Sequence, residues 1–365
     1  MRRVFLLVAL SSFAVQPATA QYGGYGQKKS SFQFTGDSLV RYEWTQKIPT
    51  VDGTIDENRY FVQARPRIAV TLGPVELGVG GQFNYSKDNN TEFPDGTPLP
   101  IVRDNFYSRD ARFDLYYAKA KLGPVVAEGG RMMMPFFLTE MIWDDDLRPQ
   151  GGGLSLVFEG ASARFALRGL YTLKSHWFPD ESKMYGGSAE IAFQTGQNSQ
   201  IVLAGSYLDF RELEGLDPQI RRQNTRNLLG FLANDYRVAD VQAQIVNTGQ
   251  VPFHLVFDYC WNTALSEGNK GLWFQLTMGA LASSRARLEY TYAKIDRDAT
   301  VAAFNADDFY WATGYQAHRL DLGGATSQKS SIHGIASRQR FKDSVIPEEQ
   351  DQWVQRYRIE FRYEF

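Results

Sequence analysis

Cysteine occurs once in the 365 residues, at Cys260. A lone thiol excludes an internal disulfide framework and any metal site built on several cysteines. An exported chain that avoids cysteine also fits a periplasmic route. After residue 20 no apolar run approaches the ~20 residues of a transmembrane helix, and no convincing helix separates the patterned segments. Neither sign of charge dominates. The 39 Lys and Arg against 41 Asp and Glu leave a net charge of −2, which gives no argument for a nucleic-acid partner. Gly-x-Ser-x-Gly, a phosphate-cradling glycine loop and zinc-ligand spacing are all missing. The chain therefore reads as a non-enzyme with no expected cofactor and no metal site.

The first feature present is an amino-terminal leader. Arg2 and Arg3 form a basic start, Val4 to Val15 is mostly apolar, and Ala18-Thr19-Ala20 is a small-x-small cleavage site. Residues 1–20 are read as a signal peptide, with the mature chain beginning at Gln21. Residues 21–30 (QYGGYGQKKS) are read as a flexible periplasmic lead-in.

The rest, 31–365, is dominated by alternation. In the last stretch Trp353, Tyr357, Ile359, Phe361, Tyr363 and Phe365 share one parity, and Arg356, Arg358, Glu360, Arg362 and Glu364 share the other. That is a β-strand with one apolar face and one fully charged face. It resembles the terminal strand of bacterial outer-membrane barrels, which ends in Phe behind alternating aromatics. The resemblance implies barrel-assembly machinery as a partner through Phe365. Similar runs recur along the chain. Phe32, Phe34, Val40, Tyr42 and Trp44 oppose Gln33, Thr35, Asp37, Arg41 and Glu43. Val62, Ala64, Pro66, Ile68 and Val70 oppose Gln63, Arg65, Arg67 and Thr71. Phe253, Leu255, Phe257, Tyr259 and Trp261 oppose His254, Asp258 and Asn262.

Short Gly-Pro or Asn-containing turns alternate with long loops, one of them predicted at Lys47–Arg59. Near 113–121 the faces fall out of register, as a bulge would cause. A strand is expected somewhere within Leu228–Val246, and the pairs Gly129-Gly130 and Gly186-Gly187 read as strand bends.

The count is about sixteen strands, an even number that returns both termini to one side. Negative mean hydropathy is compatible with lipid, because only alternate residues of a barrel strand face it. The 25 Phe, 19 Tyr and 7 Trp suit interfacial girdles. The fold class expected is all-β: a transmembrane antiparallel β-barrel of about sixteen strands, with outer-membrane lipid around it. A barrel that wide leaves an aqueous channel. An extracellular sandwich or propeller is the rival architecture.

The third long loop, Met132–Gln150 (MMMPFFLTEMIWDDDLRPQ), joins an apolar half to Glu140, Asp144, Asp145, Asp146 and Arg148. Folded inward, its apolar part could pack on the wall while the carboxylates form a pore constriction. The alternative is a loop that faces solvent or binds calcium, although calcium-loop spacing is missing. Closure places Arg356, Arg358 and Arg362 beside Arg41, Arg65 and Arg67. The expectation is a basic pore wall facing the acidic loop across the lumen, which would sort ions by a transverse field. Its alternative is that these arginines pair with neighbouring glutamates and stabilise the wall. Of the four histidines, His176, His254, His318 and His333, His254 shares a face with Asp258 and reads as wall. Asp307-Asp308 reads as solvated.

Gly130-Arg131-Met132, Pro135-Phe136 and Trp143 through Gly152 resemble the third-loop motif of a bacterial "putative porin" family. So do Asp298-Ala299, Phe304, Asp307-Asp308-Phe309, Gly314 and His318-Arg319-Leu320. The similarity is patchy and spread over most of the mature chain. It implies an outer-membrane diffusion channel for small hydrophilic solutes, located in the cell outer membrane, and a homotrimer by analogy. It does not identify the cargo. A substrate-specific channel for anions or oligosaccharides, or a plugged barrel serving as adhesin or anchor, stays open.

Overall fold

The computed structural model describes residues 31–50, 53–88, 109–175, 181–216, 223–306, 308–342 and 351–365. The leader, the lead-in and His176 lie outside them.

Sixteen antiparallel strands close into one barrel. They are β1 (Ser31–Thr50), β2 (Gly53–Leu72), β3 (Val75–Asp88), β4 (Arg109–Leu122), β5 (Val125–Arg131), β6 (Gln150–Glu159), β7 (Ala163–Lys174) and β8 (Lys183–Gly196). The second half continues with β9 (Ser199–Arg211), β10 (Tyr236–Asn247), β11 (Phe253–Asn262), β12 (Lys270–Gly279), β13 (Ala286–Ile295), β14 (Tyr315–Ala325), β15 (Ser330–Phe341) and β16 (Trp353–Glu364). Each strand pairs with its sequence neighbours, and β16 closes on β1 through pairs such as Arg41↔Glu360 and Glu43↔Arg358. No sheet edge is left over, as lipid requires.

Burial is inverted relative to a water-soluble protein. On β16, Ile359 is 63 % exposed, whereas Glu360 is 0 % and Arg358 is 3 % exposed. The same inversion holds on β14, where Leu320 and Leu322 are exposed and Arg319 and Asp321 are buried. Alternation therefore points the apolar parity outward and the charged parity into the barrel. Outward aromatics pair across strands at the loop end: Tyr42 with Tyr60 at 5.0 Å, Trp44 with Tyr357 at 5.9 Å and Tyr171 with Tyr185 at 5.1 Å. At the turn end Phe34 meets Phe365 at 5.4 Å. Two aromatic belts result.

The strand boundaries differ from the sequence pattern in three places. The stretch predicted as a long loop at Lys47–Arg59 is mostly strand, because β1 and β2 pair out to Thr50 and Gly53 past a register shift between Thr45 and Ile48. Within Leu228–Val246 the strand starts only at Tyr236. The misfit near 113–121 is a bulge: Gly80 faces Leu115 and Gly81 faces Phe113, so Asp114 is the extra residue. That residue turns into the barrel and is 2 % exposed.

Closure leans on one glycine. The Phe365 ring lies over Gly36 of β1, where a Cβ would collide with both that ring and the Arg65 carbonyl. The Phe365 N–H donates to the Gly36 carbonyl at 3.1 Å. Gly36→Val should cost about 1–3 kcal/mol by overpacking. It should lower the temperature at which the barrel loses its compact, fast-migrating form in detergent gels. Gly334→Ala, whose Cβ meets open space, should leave that temperature nearly unchanged.

Candidate functional site

β5 is only seven residues long, because the chain leaves the wall after Arg131. The following segment, 132–149, touches inner-face side chains on widely separated strands. The Phe136 ring occupies the space over Gly186 of β8 and reaches Leu208 of β9. Gly186 is thus an opening for a ring, where the sequence pattern had indicated a bend. Met141 lies 3.8 Å, sulfur to sulfur, from Cys260 of β11. Thr139 donates from its hydroxyl to Asp258, also on β11. Arg148, 1 % exposed, reaches the bulged Asp114 on β4 at 3.4 Å and the segment's own Leu147 carbonyl at 3.2 Å. It pins the segment and does not line the cavity described next.

A second segment, between β13 and β14, packs on the first. Trp143, Phe304 and Phe210 of β9 form a stack with centroids 5.5 and 5.2 Å apart. The Asp144 N–H donates to the Phe304 carbonyl at 2.7 Å, and the Ala306 N–H to the Glu140 carbonyl at 3.0 Å. Inner-parity residues Met184, Leu208, Phe210 and Val238 complete an apolar cluster. The barrel's inner face is therefore apolar on one side of its loop end and charged elsewhere.

The charged part surrounds a cavity of about 140 Å³. Glu140, Asp144, Asp145 and Asp146 line it, with Arg41, Arg65 and Arg362. Arg67, Arg356 and Arg358 lie on the same wall outside that lining. The two charge rows are not separated across open water. Arg65 sits between Asp37, at 2.7 Å, and Asp146 of the third segment, which it contacts directly. Carboxylates interleave the other arginines. Arg41 meets Glu360 at 2.6 Å, Arg362 meets Glu360 at 2.5 Å, and Arg358 meets Glu43 at 2.5 Å. Arg356 is 3.5 Å from Glu43, and Arg67 is 3.7 Å from Asp37. Removing one partner from such a buried pair costs about 3–5 kcal/mol, so the wall is also a girder.

The three adjacent aspartates differ. Asp144 is buried and accepts the Asp146 N–H at 2.8 Å. Asp146 is held by Arg65. Asp145 is exposed. Burial raises the Glu140 carboxyl above its usual range even with 33 % of the side chain exposed, although the Arg319 guanidinium 3.0 Å away pulls it down.

Three further lining residues were not among the site residues expected from the sequence. Arg287 and Arg319 sit on the inner parity of β13 and β14. Each is paired with Glu289, Arg319 at 3.1 Å. Asp308 is not simply solvated: it contacts Arg319 and lies 2.7 Å from Arg358. Asp307 lies outside the described residues. Inner parity was the available signal for both arginines, and the family-like stretch Asp307-Asp308-Phe309 was the one at Asp308. His254 shares a hydrogen bond with Gln244 at 2.8 Å, as a wall residue would.

Residues 110–242, from β4 into β10, match a family model described as "Putative porin". This is a barrel of the porin type. No curated protein matches it in sequence. Pseudomonas putida OprB is similar in structure, with a TM-score of 0.57 at 11 % identity over 92 % of this chain and 94 % of that one. An anion-selective porin from Comamonas acidovorans gives 0.55 at 12 % identity, covering 92 % and 100 % of the two chains. Salmonella typhi OmpF gives 0.53 at 12 % identity, covering 92 % and 97 %.

The barrel's loop end is tied together at Asp298. Its carboxylate accepts from Tyr236 Oη at 2.6 Å, the Thr225 N–H at 2.9 Å and Asn234 Nδ2 at 3.0 Å. Asp298→Ala should lose about 2–3 kcal/mol of local stability. Limited proteolysis should then cut within 223–234 faster than in the parent protein, with the barrel intact.

Proposed function

We propose that this porin lets small hydrophilic solutes and ions diffuse passively across the outer membrane, sorted at the charged cavity by size and by charge. A 140 Å³ space is smaller than the roughly 300–1,000 Å³ of an ordinary small-molecule pocket. That scale favours ions and small solutes over folded or bulky ones. No chemical step is involved. Export by the 1–20 leader, hand-over to the barrel-assembly machinery through the β16 strand, and a homotrimer in the membrane belong to the same reading.

One observation carries the charge preference. Nine carboxylates and five arginines line the cavity. Interleaving neutralises the arginines and leaves the acids in excess, in a low-dielectric frame where that excess acts at short range. The pore should therefore prefer cations, although the arginine-rich strands alone would point the other way. Asp145 is exposed, and no described residue forms an ion pair with its carboxylate, so it supplies the least compensated charge.

Recording in planar bilayers tests this. The purified protein should show stepwise conductance and, in a salt gradient, a reversal potential on the cation side. Asp145→Asn should move that potential toward zero by a measurable fraction, more so at low salt, because exposed charge is screened within about 10 Å at 0.1 M. Acidification should weaken cation preference starting above the ordinary carboxylate range, since Glu140 takes up its proton early. A current that saturates with one solute would point to a substrate-specific channel. A pore closed at every voltage would point to an anchor or adhesin.

A further inference from the structure

The cavity has a second arm, and its tip is Asp308. The segment between β13 and β14 is hydrogen-bonded to the third segment at two points, Ala306 to Glu140 and Asp144 to Phe304. Beyond those points it projects Asp308 into the charged region. The Asp308 carboxylate bridges two strands that are not neighbours. It contacts Arg319 of β14 and lies 2.7 Å from Arg358 of β16, with β15 between them. Its side chain keeps 26 % exposure and lines the cavity together with Asp145, Arg41 and Arg362.

We propose that Asp308 sets the size limit of the pore by latching this second arm across the lumen wall. The proposal rests on the diffusion-pore reading above and adds the residue that fixes its width. Neither arginine depends on Asp308 for its only counter-charge. Arg358 keeps Glu43 at 2.5 Å, and Arg319 keeps Glu289 at 3.1 Å and Glu140 at 3.0 Å. The wall is therefore satisfied without the latch, as a residue selected for pore shape would allow. A residue needed for folding would leave an unpaired buried charge when removed.

The test compares Asp308→Ala and Asp308→Asn with the parent protein, using vesicle swelling with neutral sugars of increasing size and single-channel conductance. Heat-modifiable migration in detergent gels first shows that each barrel is folded. Asp308→Ala should admit sugars that the parent excludes and raise conductance about twofold, through a wider aqueous path. Asp308→Asn keeps the side chain's size and one hydrogen-bonding oxygen. It should shift the sugar cut-off less and move the reversal potential toward anions. A folded Asp308→Ala barrel with the parent's cut-off and conductance would overturn the proposal while leaving the pore reading intact. A parent protein that passes neither ions nor sugars would overturn both. If Asp308→Ala does not fold at all, the residue is structural and the proposal also fails.

Discussion

A peptide group in hydrocarbon has no water to bond to, so every N–H and C=O of a membrane sheet must find a partner within the protein. Sixteen strands meet that demand here only because β16 returns to β1. Once the sheet is closed, the two-residue repeat of a strand does the remaining sorting. One parity meets lipid and the other meets the lumen. The exposed Ile359 and the buried Glu360 and Arg358 are consecutive residues of one strand on opposite sides of that wall.

Inside, the wall has to accommodate charges at low exposure. It does so by alternating arginines with carboxylates across neighbouring strands, so that most buried charges have a counter-charge one strand away. This explains why a row of arginines need not make a positive pore. What a passing ion senses is the surplus after pairing, and that surplus is acidic around the cavity. Two loop segments dock on this wall. Those segments are held by an aromatic stack and backbone hydrogen bonds on one side of the barrel.

The architecture was legible in the sequence because alternation is a local signal. Strand number, closing pair and most turn positions follow from parity and from Gly-Pro turns. The misplaced parts are those where the alternation is silent. The β1–β2 extension beyond the bilayer carries no lipid constraint and so no clean pattern. Asp114 was legible only as a register fault, since a bulge shows in sequence as a parity error without saying which residue turns inward. The site was partly readable: Arg41, Arg65, Arg362 and the acidic third segment line one cavity. That the wall arginines pair with neighbouring glutamates was one of two readings the sequence allowed; which carboxylate meets which arginine was not legible, because it depends on register between strands and on loop paths. Asp308 stood in a family-like stretch but read as solvated, for the same reason. Nothing around it in sequence says that its loop reaches Arg358 fifty residues later.

The central claim is that lipid and water lie on opposite sides of a single strand's alternate residues. Spin labels on single cysteines, in a background with Cys260 replaced, test it most directly. With Ile359→Cys and Leu322→Cys, collision with lipid-dissolved oxygen should dominate. With Ser337→Cys and Ser206→Cys, both on the inward parity of their strands, collision with a water-soluble paramagnet should dominate. Equal accessibility to both reagents at the two parities would contradict the account.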